Sequence, residues 1–160
     1  MILRRIRLKL NHSLVKIQSA LSKGKVTKQK IAKFQKELSK LPNAFFGDTE
    51  NCPLKHSFAD GVYVREIFIP KGMCVVGKIH KFSHPNFLLK GKITVATEGE
   101  GVEHLEAPQS IISPAGTKRV VYAHEDTVWV TVHVTKETDL SKIEDEIIAK
   151  NYKEVRKCLS

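Results

Sequence analysis

The chain has 160 residues, enough to close one hydrophobic core and too few for two. Its formal charge of +10 is unevenly placed: residues 1–42 hold twelve Lys or Arg and one acid, Glu37, for +11, while the remainder sums to −1. No run of about 18 apolar residues occurs, which excludes a helical membrane span, and three cysteines without a C-x-x-C pair argue against a disulfide framework and a thiolate zinc site.

The opening Met1-Ile-Leu-Arg-Arg-Ile-Arg-Leu-Lys-Leu lacks the unbroken apolar stretch of a secretory signal. An Arg-rich, acid-free start also resembles a transit peptide, but the amphipathic pattern runs on well past the usual length of one. Leu3, Ile6, Leu10, Leu14, Ile17 and Leu21 recur at steps of three and four, one stripe of a helix. Ser22-Lys-Gly-Lys25 stops it, and Thr27 caps a second helix with the stripe Ile31, Phe34, Leu38 and Leu41, ended by Pro42. Residues 1–42 thus read as a basic helical arm, a hairpin with one apolar seam and a Lys-rich outer face. Residues 43–60 read as a linker.

After Gly61 the pattern turns to strands: Val62 to Ile69, Met73 to Ile79, Phe87 to Leu89, Lys92 to Thr97, Gln109 to Ser113, Arg119 to Tyr122 and Thr127 to Thr135. Short strands spaced by turns, with no helices between them, predict a β-sandwich over residues 61–136. In the last strand Val128, Val130, Val132 and Val134 alternate, so the valines are expected to face the core and His133 to face away. Cys74 reads as a small core residue. Ser141-Lys-Ile-Glu144 fits a capping box, predicting one closing helix within 137–160.

Two segments carry a family resemblance. The first runs Gly72, five residues, Lys78-Ile79-His80, three residues, His84, six residues, Gly91. The second runs Pro108, five residues, Pro114-Ala115-Gly116, two residues, Arg119, three residues, Ala123. Their framing and spacing resemble the two motifs of the cupin superfamily, whose RmlC-like fold is a jelly roll. The resemblance implies a mainly β, single cupin-type jelly-roll β-sandwich with structural turns at Gly72, Gly91, Pro114 and Gly116. The texts around Gly61–Ile67, Pro85–Gly91 and Ser113–Arg119 also resemble uncharacterised cupin-like proteins of tailed bacteriophages.

Family members that use metal hold one divalent ion with three His and a Glu. The matching positions here are Lys78, His80, His84 and Arg119, and neither an ammonium nor a guanidinium offers a lone pair. Three readings follow. His80 and His84 form a metal site completed by His133, His104 or Glu66, for Zn, Fe, Mn or Ni. Alternatively Lys78, His80, His84 and Arg119 line a cationic ligand pocket for a carboxylate or phosphate, or the fold is purely structural.

The favoured expectation is a non-catalytic assembly protein of a tailed-phage virion, made in the host cytoplasm, without catalytic residues or cofactor. Its partners would be further copies, other virion proteins and, non-specifically through residues 1–42, a nucleic-acid backbone, with no membrane. The alternatives are a cytoplasmic cupin enzyme (isomerase, epimerase or dioxygenase) on a small anionic substrate, and a DNA-binding ligand sensor.

Overall fold

The structure, a computed structural model, describes residues 19, 24–42, 44, 50 and 52–159. Apart from Ser19, the helix expected over Leu3 to Leu21 lies outside these residues. Among them, helix α1 (Lys28–Leu38) is followed by β1 (Leu54–Ala59), β2 (Val62–Ile69), β3 (Cys74–Val76), β4 (Ile79–His80) and β5 (His84–Lys90). Next come β6 (Lys92–Thr97), β7 (Gly101–Glu106), β8 (Gln109–Ser113), β9 (Arg119–Ala123) and β10 (Thr127–Val134). The chain closes with α2 (Leu140–Ile147), β11 (Ile148–Ala149) and α3 (Tyr152–Leu159).

Two antiparallel sheets, ordered β1-β2-β10-β5-β8 and β3-β9-β6-β7, face one another as a jelly-roll sandwich, and β4 pairs with β11 at one end. Leu88, Ile93, Val95 and Trp129 fill the space between the sheets, continued by Ile69, Ala123 and Cys52. Gly91 joins β5 to β6 at φ +97°, and a Cβ there would lie 2.5 Å from Thr127 Oγ1 and 2.8 Å from Asp126 O, so no side chain fits.

The second helix of the expected arm is not a detached element. Thr27 caps α1 by accepting from Lys30 N at 3.2 Å. Ile31 and Phe34 then pack with Val26 on Ala96 and Val120, outward-facing residues of the four-stranded sheet. A stripe of this regularity needs an apolar partner, and the outer face of β6 and β9 supplies it.

Other boundaries also differ from expectation. Residues 54–59 of the expected linker form β1, paired with β2 from Leu54–Ile67 to Ala59–Val62. Strand β7 was not anticipated, because its sequence Gly-Val-Glu-His-Leu-Glu carries only two apolar side chains among charged ones. The closing helix is two helices. Asp139, not Ser141, caps α2, accepting from the amides of Ser141 and Lys142. The break at β11 lets Ile148 and Ala149 pair with His80 and Ile79.

The phase of β10 is the consequential correction. Thr127, Trp129, Thr131 and His133 face inward and are buried, while Val134 on the valine face is 86 % exposed. Alternation does set the two faces, but here the interior includes polar groups, so hydropathy marks the wrong one.

Candidate functional site

Inversion of that phase brings three histidines together. His80 enters from β4, His84 from the start of β5 and His133 from the end of β10, and their ligand-capable atoms all lie within 4.8 Å of one another. Ring centroids are 4.2 Å apart for His80–His84, 5.0 Å for His80–His133 and 4.8 Å for His84–His133. Tyr63 of β2 stacks on His133 at 6.2 Å and is bonded through its hydroxyl to His56 Nδ1 at 2.7 Å, so a row of rings supports the trio.

The chemistry of the donors fits a divalent ion. His84 Nδ1 lies 3.0 Å from the carbonyl of Phe82, which only accepts, so Nδ1 holds the proton and Nε2 keeps its lone pair. Among the described residues, His80 Nδ1 and His133 Nε2 are buried without a hydrogen-bond partner. An orphaned buried nitrogen is unfavourable, and two in one cluster of imidazoles mark a site that coordination would satisfy. Burial, reinforced by the neighbouring imidazoles and by Arg65, pushes His133 down to about 4 and His80, which also feels Arg119, down to about 2; burial lowers His84 too. The rings are therefore neutral at physiological pH, the form that binds metal. His80, His84 and His133 would hold such an ion, whose tetrahedral donors sit roughly 3.4 Å apart, with three imidazole nitrogens.

The sequence-predicted residues sort clearly. His80 and His84 are joined by His133 despite the expectation that it faced away. His104 instead bonds Thr94 Oγ1 at 2.8 Å on the other sheet. Glu66 pairs across β10 with Val130, on the face opposite His133. Lys78 borders the cavity, but its ammonium pairs with Glu144 of α2 and is partly exposed.

Arg119 is held inside the sandwich. Its Nε donates to Thr97 Oγ1 at 3.1 Å and its Nη1 to Ser113 Oγ, and Ser113 is the register partner of His84. Burial lowers its pKa from the ordinary value, opposed by the fields of Glu100 and Glu103. Ser113 Oγ also accepts from Asn86 Nδ2 at 2.6 Å, and Asn86 Oδ1 accepts from Trp129 Nε1 and Thr131 Oγ1, each at 3.1 Å. This network escaped the sequence reading, although Trp129, Thr131 and His133 share a strand phase that would have revealed it.

His80, His84, Asn86, Arg119, Trp129 and Thr131 border a cavity of about 600 Å³, with His133 packed behind His80 and His84. Its described lining includes Arg65, Lys78, Lys118, Arg119 and Lys150 and contains no aspartate or glutamate.

The chain is similar in fold to solved jelly-roll proteins of the cupin type. One is ectoine synthase from P. lautus, at 14% identity over 69% of this chain and 81% of that chain, TM-score 0.49. Another is KdgF from Halomonas sp., at 14% over 61% and 91%, TM-score 0.48. A third is an RmlC-like cupin family protein with a double-stranded β-helix fold from Methanocaldococcus jannaschii, at 14% over 58% and 88%, TM-score 0.46. No protein-family model and no curated protein matches the sequence.

Proposed function

We propose that this chain is a divalent-metal-dependent enzyme on a cupin-type jelly roll, acting on a small anionic molecule at a His80–His84–His133 centre. The observation that carries this reading is the convergence of three buried imidazoles, two of them with unpartnered ring nitrogens. This displaces the assembly role favoured by the sequence, because that role gives no reason to bury unsatisfied imidazoles around a cavity.

An imidazole set suits Zn, Fe, Ni or Co. A bound ion of this kind would act as a Lewis acid on a substrate oxygen. The protein's own groups set the rest. Phe82 O fixes the tautomer of His84, and the stacked Tyr63 orients His133. Arg65, Lys118 and Arg119, which no carboxylate of the described residues meets in an ion pair, raise the local concentration of anions. Fixed guanidinium groups near the ion weaken metal affinity alone and strengthen it when an anion binds with it.

The test is elemental analysis of protein purified from metal-supplemented culture, with cobalt(II) titration of the metal-free form followed by its visible bands. About one equivalent, lost in an H84A/H133A double variant that still folds, is the expected result. Wild type that takes up no more cobalt than the double variant would refute the reading.

A further inference from the structure

We infer that the cavity binds a carboxylic acid with an apolar body, its carboxylate seated on Arg119 and its body against the inner faces of β2, β3 and β9. The inference rests on the proposed metal centre only for the end of the cavity at which the acid group lies.

Three observations lead there. First, Arg119 is a partly buried guanidinium that no carboxylate of the described residues meets in an ion pair; both its fixed contacts, Thr97 and Ser113, are neutral hydroxyls. Glu100 and Glu103 act on it through their fields without pairing with it, and a partly buried fork with further N–H groups uncommitted matches a planar, two-oxygen anion. Those two hydroxyls, with Asn86 behind Ser113, hold the fork in place before any ligand arrives.

Second, the cationic groups make up only part of the described lining. Ile67, Ile69, Met73, Val75 and Val121 form an apolar stretch of it, with the ring of Trp129 beside them. Sugars and sugar phosphates need hydroxyl partners along their whole length, and this stretch offers none. An alkyl or aryl chain is the body that such a surface accepts.

Third, Ser113 sits opposite His84 in the β5–β8 register, so the guanidinium bound to Ser113 is adjacent to the histidine trio. The acid group thus lies where a bound ion would reach it or the carbon next to it.

The experiment compares 3-phenylpropanoate, 3-phenylpropanamide and acetate by calorimetric titration into cobalt-loaded wild type, R119M and R119K. The acid should bind about tenfold or more tighter than the amide, since the amide loses the charge-assisted pair. It should bind tighter than acetate by a similar factor through the apolar wall. R119M should abolish the acid–amide difference while strengthening, not weakening, cobalt binding in the absence of acid; R119K should restore part of the difference. Equal binding of acid and amide, equal binding of acid and acetate, or an undiminished preference in R119M each overturns the inference. Cobalt titration is read separately: wild type that binds the acid but not cobalt would refute the metal centre while leaving the acid site standing.

Discussion

His133 and Gly91 show how single positions decide this molecule. His133 is 5 % exposed, and burial holds its ring neutral down to about pH 4, as it holds His80 down to about pH 2. In the unfolded chain both rings take up protons below about pH 6.5. Acid therefore favours the unfolded state: stability is fully present above about pH 6.5 and is lost as the pH falls toward the folded values. Urea midpoints of the metal-free protein should drop between pH 7.5 and pH 5, and saturating zinc should widen that drop, because metal and protons compete for the same nitrogens. A flat profile would place the rings in contact with water. Gly91 and Gly116 make a second prediction at this scale. Both have positive φ, but a Cβ on Gly116 would meet only the flexible Val155 side chain at 3.3 Å, whereas on Gly91 it strikes backbone. G116V should cost about 1–3 kcal/mol, and G91A should lower the thermal midpoint more than G116A does. The reverse order would mean that the β5–β6 turn yields more easily than its contacts imply.

Among the elements, α1 is the one whose role changed most between sequence and structure. Ile31 is 1 % and Phe34 6 % exposed, buried on Ala96 and Val120. Truncating Ile31 to Ala should cost about 2–4 kcal/mol, measured by denaturant midpoint, where a detached arm would lose almost nothing. The outward face of the same helix carries Lys33 and Lys36, both exposed, and Lys40 lies just beyond it. Replacing these three with Ala should weaken binding to a DNA backbone or heparin in a salt-dependent manner without moving the midpoint. An unchanged salt slope would remove the helix from any polyanion contact. At the other end, β11 joins α2 and α3 to β4, so the closing elements are tied to the strand that bears His80.

For the whole molecule, the packing of α1 on the four-stranded sheet makes the later part of residues 1–42 a piece of the folded body. Deleting them would expose Ala96 and Val120 with the half-buried Cys74, Val76 and Val102 around them. The truncated chain should be poorly soluble or melt well below the full chain. A soluble truncation with an unchanged midpoint would show that the sheet needs no cover there.

By itself the sequence determined that the body is a β-sandwich, because short strands are spaced by turns with no helices between them; the jelly-roll form was what the resemblance of its two glycine- and proline-framed segments to the cupin motifs implied. It also named His80, His84 and Arg119 as neighbours, since one motif spacing carries the first two and the second motif returns the third. Only the tertiary structure decided which face of β10 is inside. Period-2 alternation defines two faces but is silent on which is buried, and four valines outweighed Trp129, Thr131 and His133 on hydropathy alone. The interior of this sandwich is a partly polar cavity, so the usual equation of apolar with inward fails on the strand that completes the site. Tertiary packing likewise decided that Lys78 turns to Glu144 instead of the cavity, because the partner lies 66 residues away on a helix whose position no local pattern encodes.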